Sequence, residues 1–294
     1  MRGRPANRYS AGMDASATAL EFAPGRPVEV LPGIRRIVAP NPGRMTGPGT
    51  NTWLYGRERV LVVDPGPDLP AHVAALVAAL GTARVAAILV THTHRDHSPA
   101  AAPLHALCGA PRIGRLPRAR EFHDASFHPD VVAEDGARFA CDAGELVAVP
   151  TPGHASNHVC WHHPRTRSLA TGDHVLGTVS PVILPPDGDM SEYLDSLARL
   201  QQLDLGALLP GHGPVLHDPP RVLAGLVRHR LAREAKVQAA LGSAPRGLDV
   251  LLARVYDDVD PALHGIARHS LLAHLIRLER DGRALRVGAE WRAA

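Results

Sequence analysis

The seven residues at positions 91–97, Thr-His-Thr-His-Arg-Asp-His, constrain the fold more than any other part of the sequence. Four side chains that commonly bind metals fall within six of these residues, namely His92, His94, Asp96 and His97. The apolar run 85–90 directly before them is typical of a buried strand, so we expect the four side chains on the loop at the strand's carboxyl end. In extended backbone His92 and His94 point the same way and can reach one ion, whereas a turn brings Asp96 and His97 to a second ion.

Three later segments repeat this arrangement of an apolar run that ends in a metal-binding side chain. These side chains are His154 after the run 146–149, Asp173 after 169–170 and His212 after 207–209. Glycines beside each of them permit sharp turns. Imidazole nitrogens and carboxylate oxygens suit Zn²⁺, and Mn²⁺ or Fe²⁺ can use the same ligands. The sequence therefore predicts a metal site where several strand-end loops meet at one edge of a sheet.

The order of these motifs resembles a known family. His-x-His-x-Asp-His, then Thr-Pro-Gly-His, Thr-Gly-Asp and Pro-Gly-His-Gly, is similar to the pattern of the metallo-β-lactamase-fold hydrolases, over about residues 25–215. The segment 41–52 resembles the β-lactamase-like protein 2 branch, whose members carry a C-terminal winged-helix-like domain. The resemblance implies an α/β fold, an αββα metallo-β-lactamase sandwich with a small C-terminal winged-helix-like helical domain.

Carried over residue by residue, the resemblance implies two Zn²⁺ ions per chain. The first ion would be held by three imidazoles, those of His92, His94 and His154. The second would be held by Asp96, His97 and His212, and Asp173 would bridge both ions. Two metals of this kind share a bridging water and lower its pKa, which generates a hydroxide. Asp96, which would orient the hydroxide, and Asp173, which would fix the metal pair, are the candidate catalytic residues.

Other histidines and carboxylates lie close to these motifs in the sequence. Asp64 follows an apolar run and is expected either to orient a ligand histidine or to initiate the turn before Pro65. His158 and His174 are expected to donate or accept hydrogen bonds around the ligands, or to contact the substrate. His123 and His128 fall in the segment 111–140, which is predicted to be irregular, and we interpret both as surface residues.

The chain divides into three predicted parts. Residues 1–20 are expected to form a disordered leader, 21–218 the catalytic domain and 219–294 the winged-helix-like domain. Apolar periodicity predicts helices at the positions 69–80, 99–107, 191–203, 221–241, 248–256 and 266–280. Two short strands near 283–287 and 290–292 would form the wing.

The amino-acid composition bears on the cellular compartment of the protein and on its binding partners. The chain has three scattered cysteines and no apolar run of eighteen residues, so we expect a cytoplasmic protein without membrane association. Residues 219–294 hold thirteen Lys and Arg against eight Asp and Glu, within a chain of net charge +3. This excess suggests an anionic partner such as nucleic acid, although such a charge is also ordinary for a solvated helical domain.

Three functions are compatible with the sequence. The first is a zinc-dependent hydrolase that uses a metal-bridging hydroxide, which the β-lactamase-like protein 2 resemblance specifies as an endoribonuclease on single-stranded RNA. The second is a thioesterase similar to hydroxyacylglutathione hydrolase, acting on a small ester or thioester. The third is a nucleic-acid-binding regulatory module with an idle metal site. A homodimer is a further expectation.

Overall fold

Two β-sheets pack face to face in the computed structural model, which describes residues 22–177 and 179–294. The predicted leader, residues 1–20, lies outside the described residues. The first sheet runs in chain order, antiparallel from β1 to β4 and parallel from β4 to β7. Its strands are Val28–Leu31 (β1), Ile34–Val38 (β2), Asn51–Tyr55 (β3), Arg59–Val63 (β4), Arg84–Leu89 (β5), Arg112–Gly114 (β6) and Val131–Val132 (β7).

The second sheet has the order β13-β12-β11-β10-β9-β8. Its strands are Arg138–Cys141 (β8), Gly144–Pro150 (β9), Val159–His163 (β10), Ser168–Gly172 (β11), Ala207–Pro210 (β12) and Leu216–His217 (β13). The prediction that 111–140 is irregular was wrong in part, because β6, β7 and most of β8 lie there. These strands have two to four residues each, too few to give a clear alternation of apolar and polar positions.

Helices cover the outer face of each sheet, which gives the αββα sandwich. Leu76 of helix α1 (Pro70–Leu80) and Leu104 of helix α2 (Ala101–Cys108) pack against the first sheet. Leu197 of helix α3 (Met190–Leu200) packs against the second sheet. Between the sheets, Trp53 and Trp161 are fully buried in a cluster of apolar side chains from both. The predicted helices are present, and their ends lie within three residues of the expected positions.

The strands before the candidate ligands all end at one edge of the sandwich. Because β11 and β12 are parallel, Asp173 and His212 follow their carboxyl ends side by side. β10 is antiparallel to both β9 and β11, so β9 points the same way as β11 and brings His154 to that edge. In the facing sheet, β5 ends at Leu89 and leads into the loop 91–97. The fold therefore gathers four loops that are distant in sequence.

The C-terminal part forms a winged-helix-like unit with its own apolar cluster. Its elements are α4 (Pro219–Ala240), β14 (Arg246–Gly247), α5 (Leu248–Val255), α6 (His264–Arg280), β15 (Ala284–Val287) and β16 (Glu290–Ala293). The strands β15 and β16 pair as the predicted wing. Helix α4 spans two clusters, since Leu223 packs with the second sheet and Val237 with the winged helix. The domain boundary near 219 thus stays a prediction.

Glu234 joins the helices of this unit to the wing. Its carboxylate is buried and accepts hydrogen bonds from Arg277 of α6 and, at 2.8 Å, from Arg283 beside the wing. Burial acts to raise the pKa of Glu234, but the neighbouring His274, Arg277 and Arg283 outweigh it and lower the pKa to about 2. The carboxylate is therefore ionised and paired at neutral pH.

We expect Glu234→Gln to lower the free energy of unfolding by about 1–3 kcal/mol at pH 7, because hydrogen bonds to a charged group are weakened. A lowered pKa stabilises the fold fully above the ordinary value of 4.5, and this contribution is lost as the pH falls towards 2. Urea unfolding of both proteins between pH 7 and pH 3 measures the difference, which should shrink with acidity. A difference that is constant over this range contradicts the assignment.

Candidate metal centre

Three imidazoles converge on one point at the ligand edge. His92 Nε2 lies 2.9 Å from His94 Nδ1, and His154 Nε2 lies 3.1 Å from the same Nδ1 atom. His92 and His154 are buried and His94 is half-buried. Three ring nitrogens this close to one another form a donor set suited to a single transition-metal ion.

A second donor set lies beside the first and contains two carboxylates. Asp96 Oδ2 is 3.1 Å from His212 Nε2 and 3.5 Å from His97 Nε2. Asp173 stands between the two sets: its Oδ1 is 3.3 Å from His97 Nε2, and its Oδ2 is 3.8 Å from His154 Nε2. The structure thus brings together all seven side chains that the sequence motifs single out.

The donor atoms of the second set are those expected of ligands rather than of a closed hydrogen-bond network. His97 Nε2, His212 Nε2 and Asp173 Oδ1 are buried, and none has a hydrogen-bond partner among the described residues. A side chain at Gly211 would place its Cβ 2.6 Å from His97 Cε1 and 2.8 Å from Asp173 Oδ1, so glycine keeps this space open. Buried polar atoms without partners are costly, and a divalent cation would satisfy them.

Hydrogen bonds on the outer side of the rings determine which nitrogen carries the proton. The carbonyl oxygens of Val182 and Gly49 accept from Nδ1 of His154 and His212, at 2.7 and 3.2 Å. A carbonyl can only accept, so in the neutral ring Nδ1 carries the proton and Nε2 keeps its lone pair. That lone pair points into the donor set, as metal ligation requires.

Asp64 determines which nitrogen carries the proton in two further rings. Its Oδ2 accepts from His97 Nδ1 at 2.9 Å and from the Thr91 hydroxyl at 2.7 Å. Because that hydroxyl donates to Asp64, it accepts from His92 Nδ1, 3.0 Å away. One buried carboxylate therefore orients His97 directly and His92 through Thr91. The structure places Asp64 in the orienting position that the sequence pattern suggested.

The two donor sets differ in their protonation. Burial, followed by the neighbouring histidines, holds the pKa of His92 well below 6.5 and lowers that of His94 to about 3. These rings are neutral and ready to bind a cation. Burial acts in the same direction on His212, but Asp173 and Asp96 outweigh it and raise its pKa to about 9. The pKa of His97 is raised well above 6.5 by Asp96, Asp173 and Asp64 against the effect of burial.

His158 and His174 are fully buried behind the ligands. The His158 ring stacks on His92 with 5.2 Å between ring centroids, and its Nδ1 lies 2.9 Å from the Thr151 hydroxyl. The His174 ring packs on Tyr193 at 4.7 Å. At 1% and 0% exposure, neither ring reaches the open side of the site, which argues against substrate contact. His158 makes a hydrogen bond of the expected kind, whereas both ring nitrogens of His174 lack a hydrogen-bond partner among the described residues.

The interpretation of His123 as a surface residue was wrong, whereas His128 is exposed as expected. His123 is 5% exposed, and its ring lies 4.7 Å from that of His94. No sequence motif marks His123, because the backbone of the segment around it pairs with the ligand loop only in the folded chain. Asp187 and Asn157, which connect to it, were missed for the same reason.

The comparisons with known proteins agree with this geometry. Residues 45–212 match the family model of the metallo-beta-lactamase superfamily, and residues 248–291 match that of the beta-lactamase associated winged helix domain. No described helix is long and apolar enough to cross a membrane.

Two curated relatives and one solved structure illustrate the match. The atrochrysone carboxyl ACP thioesterase of Aspergillus fumigatus is 31% identical over 229 residues, 74% of this chain and 68% of the relative. The Beta-lactamase-like protein 2 homolog of Caenorhabditis elegans is 29% identical over 266 residues, 87% of this chain and 88% of the relative. A beta-lactamase domain protein from Burkholderia ambifaria has the same fold, with a TM-score of 0.77 at 21% identity over 92% of this chain and 94% of that one.

The family model covers more than half of the chain, and the winged-helix model covers residues 248–291 of its C-terminal unit. The chain belongs to the metallo-beta-lactamase superfamily, as a hydrolase of that fold with a beta-lactamase-associated winged helix domain.

Proposed function

We propose that this hydrolase is a binuclear metal-dependent thioesterase. The observation that carries the proposal is the position of Asp173, whose two oxygens face two different donor sets. His92, His94 and His154 would hold one ion, Asp96, His97 and His212 the other, and Asp173 would bridge them. Zn²⁺, Mn²⁺ or Fe²⁺ suits these ligands.

The exposure of the candidate ligands indicates which of them can contact the attacking water. When bound, the ions lower the pKa of a shared water and neutralise the charge that develops on the substrate oxygen. The Asp96 side chain is 27% exposed, whereas those of His97 and His212 are 0% and 6% exposed. Asp96 therefore faces the open side, where its carboxylate can orient the attacking water and accept its proton.

The hydrogen bonds of the ligand histidines fit a thioester better than a phosphodiester. A thiol has an ordinary pKa near 8.5, so a thiolate departs at neutral pH without a strong proton donor. With Nε2 bound to a metal, a ligand histidine would keep only its Nδ1 proton, and a neighbouring acceptor holds that proton in His92, His97, His154 and His212. These rings would be poor general acids for an alkoxide leaving group. The thioesterase among the curated relatives supports the same substrate class.

The winged-helix unit gives little support to RNA as the substrate. Several of its basic side chains lie within 4 Å of acidic partners, which reduces the positive field that RNA binding needs. They are Arg233, Lys236, Arg268, Arg277, Arg280 and Arg283. Endoribonuclease activity, the regulatory role and the homodimer remain predictions from the sequence. Single-stranded RNA is therefore tested as an alternative substrate.

Metal content tests the ligand assignment. Protein purified without chelators and then saturated with Zn²⁺ should hold about two equivalents per chain by elemental analysis. Asp173→Ala should weaken binding of both ions, because it removes the shared ligand. One equivalent or fewer in the saturated parent protein contradicts the binuclear assignment.

Turnover tests the substrate class. We expect the metal-loaded protein to hydrolyse an acyl-N-acetylcysteamine thioester, and Asp96→Asn to lower kcat about 10²–10⁴-fold through loss of a group that would both accept the proton and bind a metal. The matched oxygen ester and a single-stranded RNA oligonucleotide are assayed beside it, with thiol release and gel electrophoresis as the measurements. Metal-dependent cleavage of RNA without thioester turnover would establish the ribonuclease alternative instead.

Removal of the Asp64 carboxylate tests the orientation of the ligands. Asp64→Asn cannot accept from both His97 and Thr91 as the parent does, so we expect about 10–100-fold weaker Zn²⁺ binding. Competition with a chromophoric chelator measures the affinity. Asp130→Asn is the control, since Asp130 pairs with Arg112 on an exposed edge of the first sheet. Equal affinities for the two variants would refute the orienting role.

A further inference from the structure

Asp187 is a buried carboxylate outside the metal-binding motifs, on the segment between β11 and α3. It is 8% exposed and joins three loops. Its Oδ1 accepts from the Ser156 hydroxyl at 2.6 Å and from the Ala119 backbone N–H at 3.1 Å. Its Oδ2 accepts from the Ser156 backbone N–H at 2.9 Å and lies 3.1 Å from His123 Nε2. A buried carboxylate with this many donors is held firmly in place.

The hydrogen bonds around Asp187 have one consistent direction. The carboxylate can only accept, so His123 carries its proton on Nε2, and its Nδ1 accepts from the Thr93 hydroxyl at 2.8 Å. That hydroxyl accepts in turn from Asn157 Nδ2 at 2.9 Å. Each proton in this chain has one acceptor, which fixes the orientation of the His123 ring.

The first connection from Asp187 to the metal centre runs through His123. The rings of His123 and His94 lie 4.7 Å apart with 30° between their planes. The Asp124 backbone N–H donates to the Thr93 carbonyl at 2.6 Å, so the two segments are also joined by backbone directly before His94. The position of the His94 ring therefore depends on that of His123.

The second connection runs through Ser156, two residues after His154. The Asp187 segment lies directly on the backbone of this loop, since the Asp189 N–H donates to the Gly153 carbonyl at 2.8 Å. A Cβ at Gly188 would lie 2.9 Å from the His154 carbonyl oxygen, which leaves no room for a side chain there. Asp187 thus anchors one loop that carries a candidate ligand and one ring that packs on another.

We propose that Asp187 is a positioning residue that holds His94 and His154 in place for the three-imidazole ion, acting through His123 and Ser156. The proposal rests on the assignment of His92, His94 and His154 as ligands of one ion. It assigns no direct contact with substrate or metal to Asp187. We expect its consequence to be local, because the two connections from Asp187 end at the His94 ring and at the loop of His154.

The test measures Zn²⁺ affinity at each set separately, by chelator competition. His212→Ala leaves the three-imidazole set, and His154→Ala leaves the other. We expect Asp187→Ala to weaken Zn²⁺ binding about 10–100-fold in the His212→Ala protein and to change it less than about 3-fold in the His154→Ala protein. Asp187→Asn, which keeps the volume and one acceptor oxygen, should have an intermediate effect.

Asp142→Asn is the matched control. Asp142 also accepts from several backbone N–H groups, those of Arg57, Glu58 and Arg59, at the opposite edge of the sandwich. The Asp142→Asn variant should leave the Zn²⁺ affinity of both sets unchanged. Thermal unfolding shows whether each variant folds, and Ser156→Ala and His123→Ala replace Asp187→Ala if that variant does not.

The outcomes separate this proposal from the function proposed above. Equal weakening of both sets, or no weakening of the three-imidazole set, by the folded Asp187 and Ser156 variants overturns the positioning role and leaves the metal assignment intact. Absence of Zn²⁺ binding by the His212→Ala protein overturns the ligand assignment itself, and the positioning role with it.

Discussion

The hydrogen bonds that four of the five ligand histidines make on their outer side are the interactions on which the rest of the site depends. His92, His154, His97 and His212 are packed so closely that their inner nitrogens face one another or carboxylate oxygens. Metal binding at these inner nitrogens requires neutral rings whose proton lies on the outer nitrogen, and Asp64, Thr91 and two backbone carbonyls accept that proton. The sandwich fold supplies these acceptors, because the loops that carry them begin or end at the same edge as the ligands.

The packing of the sandwich holds the ligand loops in place. Apolar clusters on both faces of the sheets fix the strand ends, and Trp53 and Trp161 fill the space between the sheets. Buried charge at the ligand edge is compensated locally, because Asp96 and Asp173 raise the pKa values of His97 and His212, and these histidines lower the pKa values of the two carboxylates. A cation that binds there displaces the protons of the histidines.

Much of the fold and of the site could be predicted from the sequence, for physical reasons that differ between residues. The seven candidate ligands were found because they lie on loops after four apolar runs, in a motif order that resembles a known family, so they could be recognised from local pattern. Helix positions followed from apolar periodicity. His123 and Asp187 could not be found this way, since their contacts join segments that are far apart in the sequence. The short strands β6 and β7 were missed because pairing with a neighbour, rather than their own residues, makes them strands.

Because Asp64 is shared between two histidines, binding of one metal ion would affect binding of the other. His97 belongs to one donor set and His92 to the other, yet the same carboxylate orients both rings. When an ion fixes one of these rings, Asp64 and Thr91 are fixed with it. The other ring then loses less conformational entropy when the second ion binds. This shared ordering would favour binding of the second ion once the first is bound, by the same factor in either order, and it would act against the charge repulsion between the two ions.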